Sequence, residues 1–326
     1  MLEQQAVALD DSLPIAHGLL GFVDVSKQQY DQALAEAERA IALDPNNDLI
    51  YFLCADVLNL SGRPEDALRV VEQAMRLNPH YPPVYLFPLG HAYFGTGRYA
   101  EAVTALQNSI SRSPTDLVVY YVLALSYLYQ WAFQQSVDTQ PLEHVLAAAQ
   151  RIIALNDAYS GGHLILGSVY LYQKHYEQAL TEAERGVTLT PIMAESYAVL
   201  AEALGRVGRP EKAVGMAEQA LRRKPIVADE HLYNVGTAYD LAGQPEKAIA
   251  PLKQFLTHYP NILGAHLTLT AVYSELGKDA EARAEAAEVL RINPKFSLEV
   301  HKERVPIKDP AMLERHIAAL QKAGLK

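Results

Sequence analysis

The chain has 326 residues, with 28 basic and 38 acidic side chains and a formal net charge of -10. That balance argues against a phosphate-backbone partner, so no nucleic acid is expected. The single cysteine, Cys54, excludes an internal disulfide framework.

The N-terminus, Met-Leu-Glu-Gln-Gln, has neither a basic start nor an apolar stretch after it, which reads as a cytoplasmic protein. Ala8-Leu9-Asp10-Asp11 aligns with Ala42-Leu43-Asp44-Pro45. Residues 1–11 are therefore expected to be the second helix of a partial repeat, cut or evolved from a longer chain, the alternative being a lone capping helix. A half repeat caps a stack poorly, so self-association through this end is expected.

From there the chain is periodic. Pro45, Pro79, Pro114, Pro191, Pro225, Pro260 and Pro294 succeed one another at 34, 35, 77, 34, 35 and 34 residues, the 77 being two repeats and an insertion. Twelve residues before each lies Ala33, Ala67, Ala102, Ala179, Ala213, Ala248 or Ala282. Twelve earlier again lies Gly21, Ala55, Gly90, Gly167, Ala201, Gly236 or Thr270. Small residues at fixed offsets let two helices approach, because a bulky side chain there would overpack the contact. Ser61-Gly62-Arg63-Pro64, Gly95-Thr96-Gly97, Gly208-Arg209-Pro210 and Gly243-Gln244-Pro245 mark the turns between them. Eight helix–turn–helix repeats are expected over 14–295, with an insertion near 134–142 in the fourth. Cys54, at the seventh position of the second repeat, is expected to be a buried structural thiol. The uncharged run from Leu117 to Phe133 keeps repeat register and is too short for a membrane span.

The pattern resembles the tetratricopeptide repeat, W-x2-L-G-x2-Y, A-x3-F, P. The third repeat carries Leu86, Leu89, Gly90, Tyr93, Ala102, Leu106 and Pro114. The seventh carries Leu232, Val235, Gly236, Tyr239, Ala248, Leu252 and Pro260. The resemblance implies an all-α, right-handed superhelical α-solenoid. It also implies a groove lined by positions 2, 5, 9, 12 and 13 of the first helices. Those positions hold Phe87, His91, Phe94, Tyr121, Leu125, Tyr129, Leu164 and Tyr172, and then Glu195, Glu202 and Glu230. A ligand is expected to lay an apolar segment on the aromatic residues and turn a basic end toward the acids. The clamp that some members use for acidic chain termini needs Lys and Asn at positions 5 and 9. Here those positions hold Gly18 and Phe22, Phe52 and Asp56, Phe87 and His91.

After Pro294 the period stops. Asp309 and Pro310 predict the start of a capping helix from about Pro310 to Lys322, ended by Gly324, within a tail of residues 296–326. The stretch Asn293-Pro294-Lys295-Phe296-Ser297-Leu298-Glu299, then Lys308-Asp309-Pro310-Ala311 and Lys322-Ala323-Gly324-Leu325, resembles the end of bacterial multidomain class III adenylate/guanylate cyclases. That implies the regulatory or sensory part of a signalling protein. The competing readings are a self-assembling structural scaffold and the regulatory region of a longer cyclase.

No catalytic constellation stands out. There is no H-E-x-x-H and no Cys–His cluster at metal spacing, so no enzyme activity, cofactor or metal is expected. The acidic pairs Glu36/Glu38 and Glu285/Glu288 read as solvated outer faces of second helices.

Overall fold

A computed structural model describes residues 11–135, 141–223, 225 and 227–326. The expected half repeat, and the self-association assigned to it, lie outside the described residues apart from Asp11. So does most of the insertion, residues 136–140. Contacts divide the chain into two compact units, residues up to 114 with 227–228, and the remainder. Among the described residues there are 18 α-helices and no strand. The repeats form an α-solenoid.

In the first unit α1 (Pro14–Ser26) pairs with α2 (Tyr30–Leu43), and α3 (Asp48–Leu60) with α4 (Pro64–Leu77). A 3₁₀ turn at Pro83–Tyr85 leads into α5 (Leu86–Gly95), which pairs with α6 (Tyr99–Arg112). In the second unit α7 (Leu117–Ala132) pairs with α8 (Pro141–Leu155), and α9 (Ser160–Tyr172) with α10 (Tyr176–Leu189). α11 (Ala194–Arg206) pairs with α12 (Pro210–Leu221), α13 (Leu232–Leu241) with α14 (Pro245–His258), and α15 (Leu263–Glu275) with α16 (Asp279–Ile292). The short α17 (Leu298–Arg304) and the capping α18 (Pro310–Lys322) complete it.

The turn within each pair needs one residue with positive φ. Gly62, Gly97, Gly208, Gly243 and Gly277 supply it, with φ between 71° and 78°. Gln28, Gln134 and Lys174 hold the same conformation in the first, fourth and fifth repeats, where φ > 0 is uncommon for a side-chain-bearing residue. The residue after the turn donates back into the helix end, as Arg63 N–H does to the Leu58 carbonyl at 2.9 Å.

Close approach of the paired helices is the governing contact. A Cβ on Gly90 would lie 2.6 Å from Leu106 Cγ, and one on Gly236 would lie 2.5 Å from Leu252 Cγ. Leu106 and Leu252 are fully buried, so neither can yield cheaply. The facing alanines, from Ala33 through Ala248, are also inaccessible. Cys54 is buried as expected: its Sγ lies 3.4 Å from the Ala37 carbonyl, and burial pushes the thiol up to about 12.

Three repeats replace one apolar contact by a polar one. His17, His163 and His266 occupy the fourth position of the first helix. Their Nδ1 atoms lie 2.5, 2.7 and 2.6 Å from Glu36, Glu182 and Glu285 on the second helix. Each Nε2 faces an oxygen of the preceding turn: the Asp11 carbonyl at 3.1 Å, the Asp157 carboxylate at 3.2 Å and the Pro260 carbonyl at 3.0 Å. This corrects the reading of Glu36 and Glu285 as solvated outer-face charges. Both are partners of nearly buried histidines, and they tie the two helices of a repeat to the turn before it.

Packing and pH each give a measurable outcome. Gly90→Ala is expected to destabilise the chain by about 1–3 kcal/mol in urea unfolding, from overpacking against Leu106. Gly215→Ala, in α12 with nothing within 4 Å of the new Cβ, is expected to gain about 0.5–1 kcal/mol of helix propensity. The other outcome concerns pH. Burial alone would lower the His17 pKa, but the hydrogen bonds to Glu36 and Asp11 and their charges raise it above 6.5. A raised folded-state pKa stabilises fully below about pH 6.5 and fades as pH rises through the raised value. The stability difference between the parent and His17→Gln should therefore shrink as pH rises from 6 to 9, read from urea midpoints. A difference that grows with pH would contradict the assignment.

Candidate functional site

In the first unit, the second position of each repeat carries an aliphatic side chain turned to solvent, on α1, on α3 and, in the third repeat, on the 3₁₀ turn before α5. Ile15, Leu49 and Val84 are 45%, 42% and 54% exposed. Their equivalence in consecutive repeats makes a row of apolar side chains. Beside it Phe52 stacks on Tyr85, with ring centroids 4.6 Å apart. Phe87 lies 5.7 Å from the His91 ring, and both are half-buried. Burial pushes His91 down to about 4, so it is neutral. Phe94 is buried against Tyr99 and belongs to the core rather than to a ligand face.

The second unit holds the remaining expected groove residues. Tyr121, Leu125 and Tyr129 lie half-buried on α7. The Tyr129 ring is 5.2 Å from Phe133 and meets Tyr233 edge-on at 6.5 Å. Tyr172 meets Trp131 edge-on at 5.6 Å, and burial pushes its phenol up to about 12. Burial raises Tyr121 as well, with Glu230, Tyr159 and Glu195 adding to it. Leu164 is buried over Gly186, where a Cβ would meet its Cδ2 at 2.4 Å. It packs and does not face a ligand.

The acidic end differs from a row of free carboxylates. Glu202 is buried and takes a hydrogen bond from Arg206 Nε at 2.7 Å and another from Asn234. Arg206 is itself nearly inaccessible. Burial disfavours its charge, but Glu202 holds it protonated above its ordinary range. Glu202 is thus half of a buried ion pair, and its charge is spent locally rather than on steering a ligand. Burial, and then the neighbouring Glu195, pushes Glu230 up to about 7.

The tail is the element whose placement sequence reasoning missed. The capping helix forms as expected, with the Asp309 carboxylate accepting from Ala311 N–H at 2.7 Å and Gly324 at φ 106°. Before it, the chain runs back across the first helices of the unit. Arg304 donates to the Trp131 carbonyl, and its guanidinium lies 4.9 Å from the centre of the Trp131 ring. Val305 and Ile307 are buried with Leu241. Lys308 N–H donates to the Arg206 carbonyl at 2.9 Å. Gln134 and Ser297 exchange hydrogen bonds at 2.9 Å, and Asn293 donates to the Phe133 carbonyl at 3.1 Å. The signal was present as two aliphatics around a proline between basic residues, Arg304-Val305-Pro306-Ile307-Lys308.

Under this segment lies a cavity of about 40 Å³, lined among others by Arg206, Thr237, Asp240, His301 and His316. The two imidazoles face each other at 3.1 Å and are neutral, burial being the first cause of both lowered values. Asp240 Oδ1 and Thr237 Oγ1 have no hydrogen-bond partner among the described residues. Burial, reinforced by Glu275 and opposed by Arg315 and Arg206, pushes Asp240 up to about 7.

Comparison with known proteins agrees with this architecture. Two family models described as tetratricopeptide repeat match the chain, one at residues 25–85 and 58–125 and the other at 198–261. Together they cover about half of it. The chain belongs to the tetratricopeptide repeat family. The small glutamine-rich tetratricopeptide repeat-containing protein 2 of Mycosarcoma maydis is 32% identical over 102 residues, 31% of this chain and 29% of that protein. The BBSome complex member BBS4 of Bos taurus is 24% identical over 259 residues, 69% of this chain and 49% of that protein. Among solved structures, a thermophilic TPR protein of Thermus thermophilus, TTC0263, superposes with a TM-score of 0.50 at 24% identity. It matches over 62% of this chain and 98% of its own, and carries the fold alone. This tetratricopeptide repeat chain spans between 22% and 53% of the length of the curated relatives it matches. Among the described residues no helix is long and apolar enough to cross a membrane. No group of three His, Cys, Asp or Glu side chains placed to hold a metal occurs among them either.

Asp240 gives this site a measurable signature. A carboxyl whose pKa is raised by folding stabilises fully below about pH 3.8 and loses that contribution as pH rises toward 7. Asp240→Asn is therefore expected to raise the urea midpoint relative to the parent at pH 8. The gain should shrink steadily toward pH 4. Equal midpoints at pH 8 would show that Asp240 bears no burial cost.

Proposed function

We propose that the chain is a non-catalytic protein–protein interaction scaffold that takes a peptide or protein segment on its first-helix faces. The observation that carries this reading is the solvent-facing row Ile15, Leu49 and Val84. Apolar side chains repeated at one position of successive repeats are a surface without a use inside the fold. Half-buried Phe87 and His91 are proposed as further contact residues of the first unit, and Tyr121, Leu125, Tyr129 and Tyr172 as contact residues of the second unit's own first-helix face. Tyr and Phe are favoured at interfaces because they bury large area at low entropic cost. Glu195 and Glu230 are proposed to receive a basic end of the ligand, a role in which opposite charge orients encounter. The name of the bovine relative, a complex member, supports an assembly role. The cyclase-like wording of the tail supports a finer reading: the regulatory or sensory part of a bacterial signalling protein, acting in the cytoplasm.

A displayed peptide library selected on the intact chain tests the reading. Selected ligands should bind at least tenfold more weakly to the triple variant Ile15→Ser, Leu49→Ser, Val84→Ser. The helical signal and melting temperature should be unchanged, because the three side chains are outside the core. Failure to enrich any ligand would contradict the proposal, as would ligands indifferent to the triple variant.

A further inference from the structure

The first helices α7, α9, α11 and α13 are neighbours in turn within the second unit. Each ends with carbonyls that lack an intrahelical donor, and such ends carry partial negative charge. Residues 304–308 lie across them. Arg304 serves the carbonyl of Trp131 at the end of α7, and Lys308 N–H serves that of Arg206 at the end of α11. Between these polar contacts Val305 and Ile307 fill an apolar strip with Leu241 of α13. Lys308 Nζ lies 5.5 Å from the centre of the Tyr176 ring and 3.6 Å from Glu177. A guanidinium at one helix C-terminus, a backbone N–H at another and aliphatics between them are contacts that a separate extended peptide would make on the same face.

The packing beneath the segment is poorly satisfied. It seals the cavity in which Asp240 and Thr237 keep unpaired oxygens and Arg206 is buried. Unpaired buried polar atoms make an interface cheaper to open than an apolar core. The seven-residue α17 is too short to be stable alone. α18 has its own anchors, Lys322 to Asp279 at 2.9 Å and Arg315 to Glu275 at 3.1 Å. Departure of the segment parts Val305 and Ile307 from Met312 and Leu313 of α18, while these ion pairs and the buried Leu320 hold α18 to the unit.

We propose that this face of the second unit is a binding site for an extended segment of the pattern Arg–aliphatic–Pro–aliphatic–Lys, and that residues 304–308 are its resident, displaceable ligand. A partner segment of the same chemistry takes their place. The proposal rests on the reading that first-helix faces of this chain take peptides, but it concerns a different face from the Ile15, Leu49 and Val84 row.

The test is a titration of a fluorescein-labelled peptide of residues 298–308 from this chain. It is added to the intact protein, to full-length Arg304→Ala, and to a chain ending at residue 297. The two altered chains should bind the peptide at least tenfold more tightly than the intact one. A peptide carrying Arg304→Ala should lose at least tenfold, and the Ile15, Leu49 and Val84 variant should change nothing. Folded altered chains that bind no better than the intact protein overturn the proposal. If truncation prevents folding, the full-length Arg304→Ala chain decides alone. Collapse of its helical signal would mean that the segment is fixed core, and that also overturns the proposal. A failed library selection on the first unit leaves this titration unaffected, so the two readings fail separately.

Discussion

Everything in this chain depends on how closely two helices can approach within a repeat. Where Gly90 meets Leu106 and Gly236 meets Leu252, the methyl group missing from the first helix sets the spacing against a buried leucine of the second. The period near 34 follows, since two helices and two turns of fixed length are needed to place the next small residue. Display follows as well. A first helix held by its small face must turn another face outward, and successive repeats turn the same positions outward together.

The second unit adds a different kind of interaction. A stack of repeats is ordinarily cohesive only between neighbours. Here Gln134 with Ser297, Asn293 with Phe133, and Arg304 with Trp131 join the fourth repeat to the segment after the eighth. Long-range contacts of that kind make the repeats between them open together rather than singly. Their weak point is the polar cavity, where the Arg206–Glu202 pair is satisfied but Asp240 is not. Stability and mobility are therefore set by the same few buried charges.

Much of the fold was legible in the sequence, because helix ends and close approaches are written in local residues. Gly62, Gly97, Gly208 and Gly243 mark turns by their conformational freedom, and Asp309-Pro310 marks the start of α18. The histidine pairs were missed for a specific reason. Glu36 and Glu285 were judged by their own helix, whereas their partners sit 19 positions earlier on another. Reading two positions together would have found them. His17, His163 and His266 occur with Glu36, Glu182 and Glu285, while the equivalent pairs are Tyr51/Val70, Leu86/Ala105, Tyr197/Met216 and Leu232/Pro251. The acidic face differs from the expectation because Glu202 pairs with Arg206, four residues on along the same helix. The path of residues 304–308 is a tertiary fact that no period announces.

The closure of the second unit by its own tail is most directly tested by amide hydrogen exchange on the intact chain, resolved by helix. If the tail ties α7 to the end of the unit, α7 amides should open with the same free energy as those of α13 and α15. A first helix bound only to its neighbours would fray on its own. Exchange in α7 that is orders of magnitude faster than in α13 and α15 would contradict the closure and the account built on it.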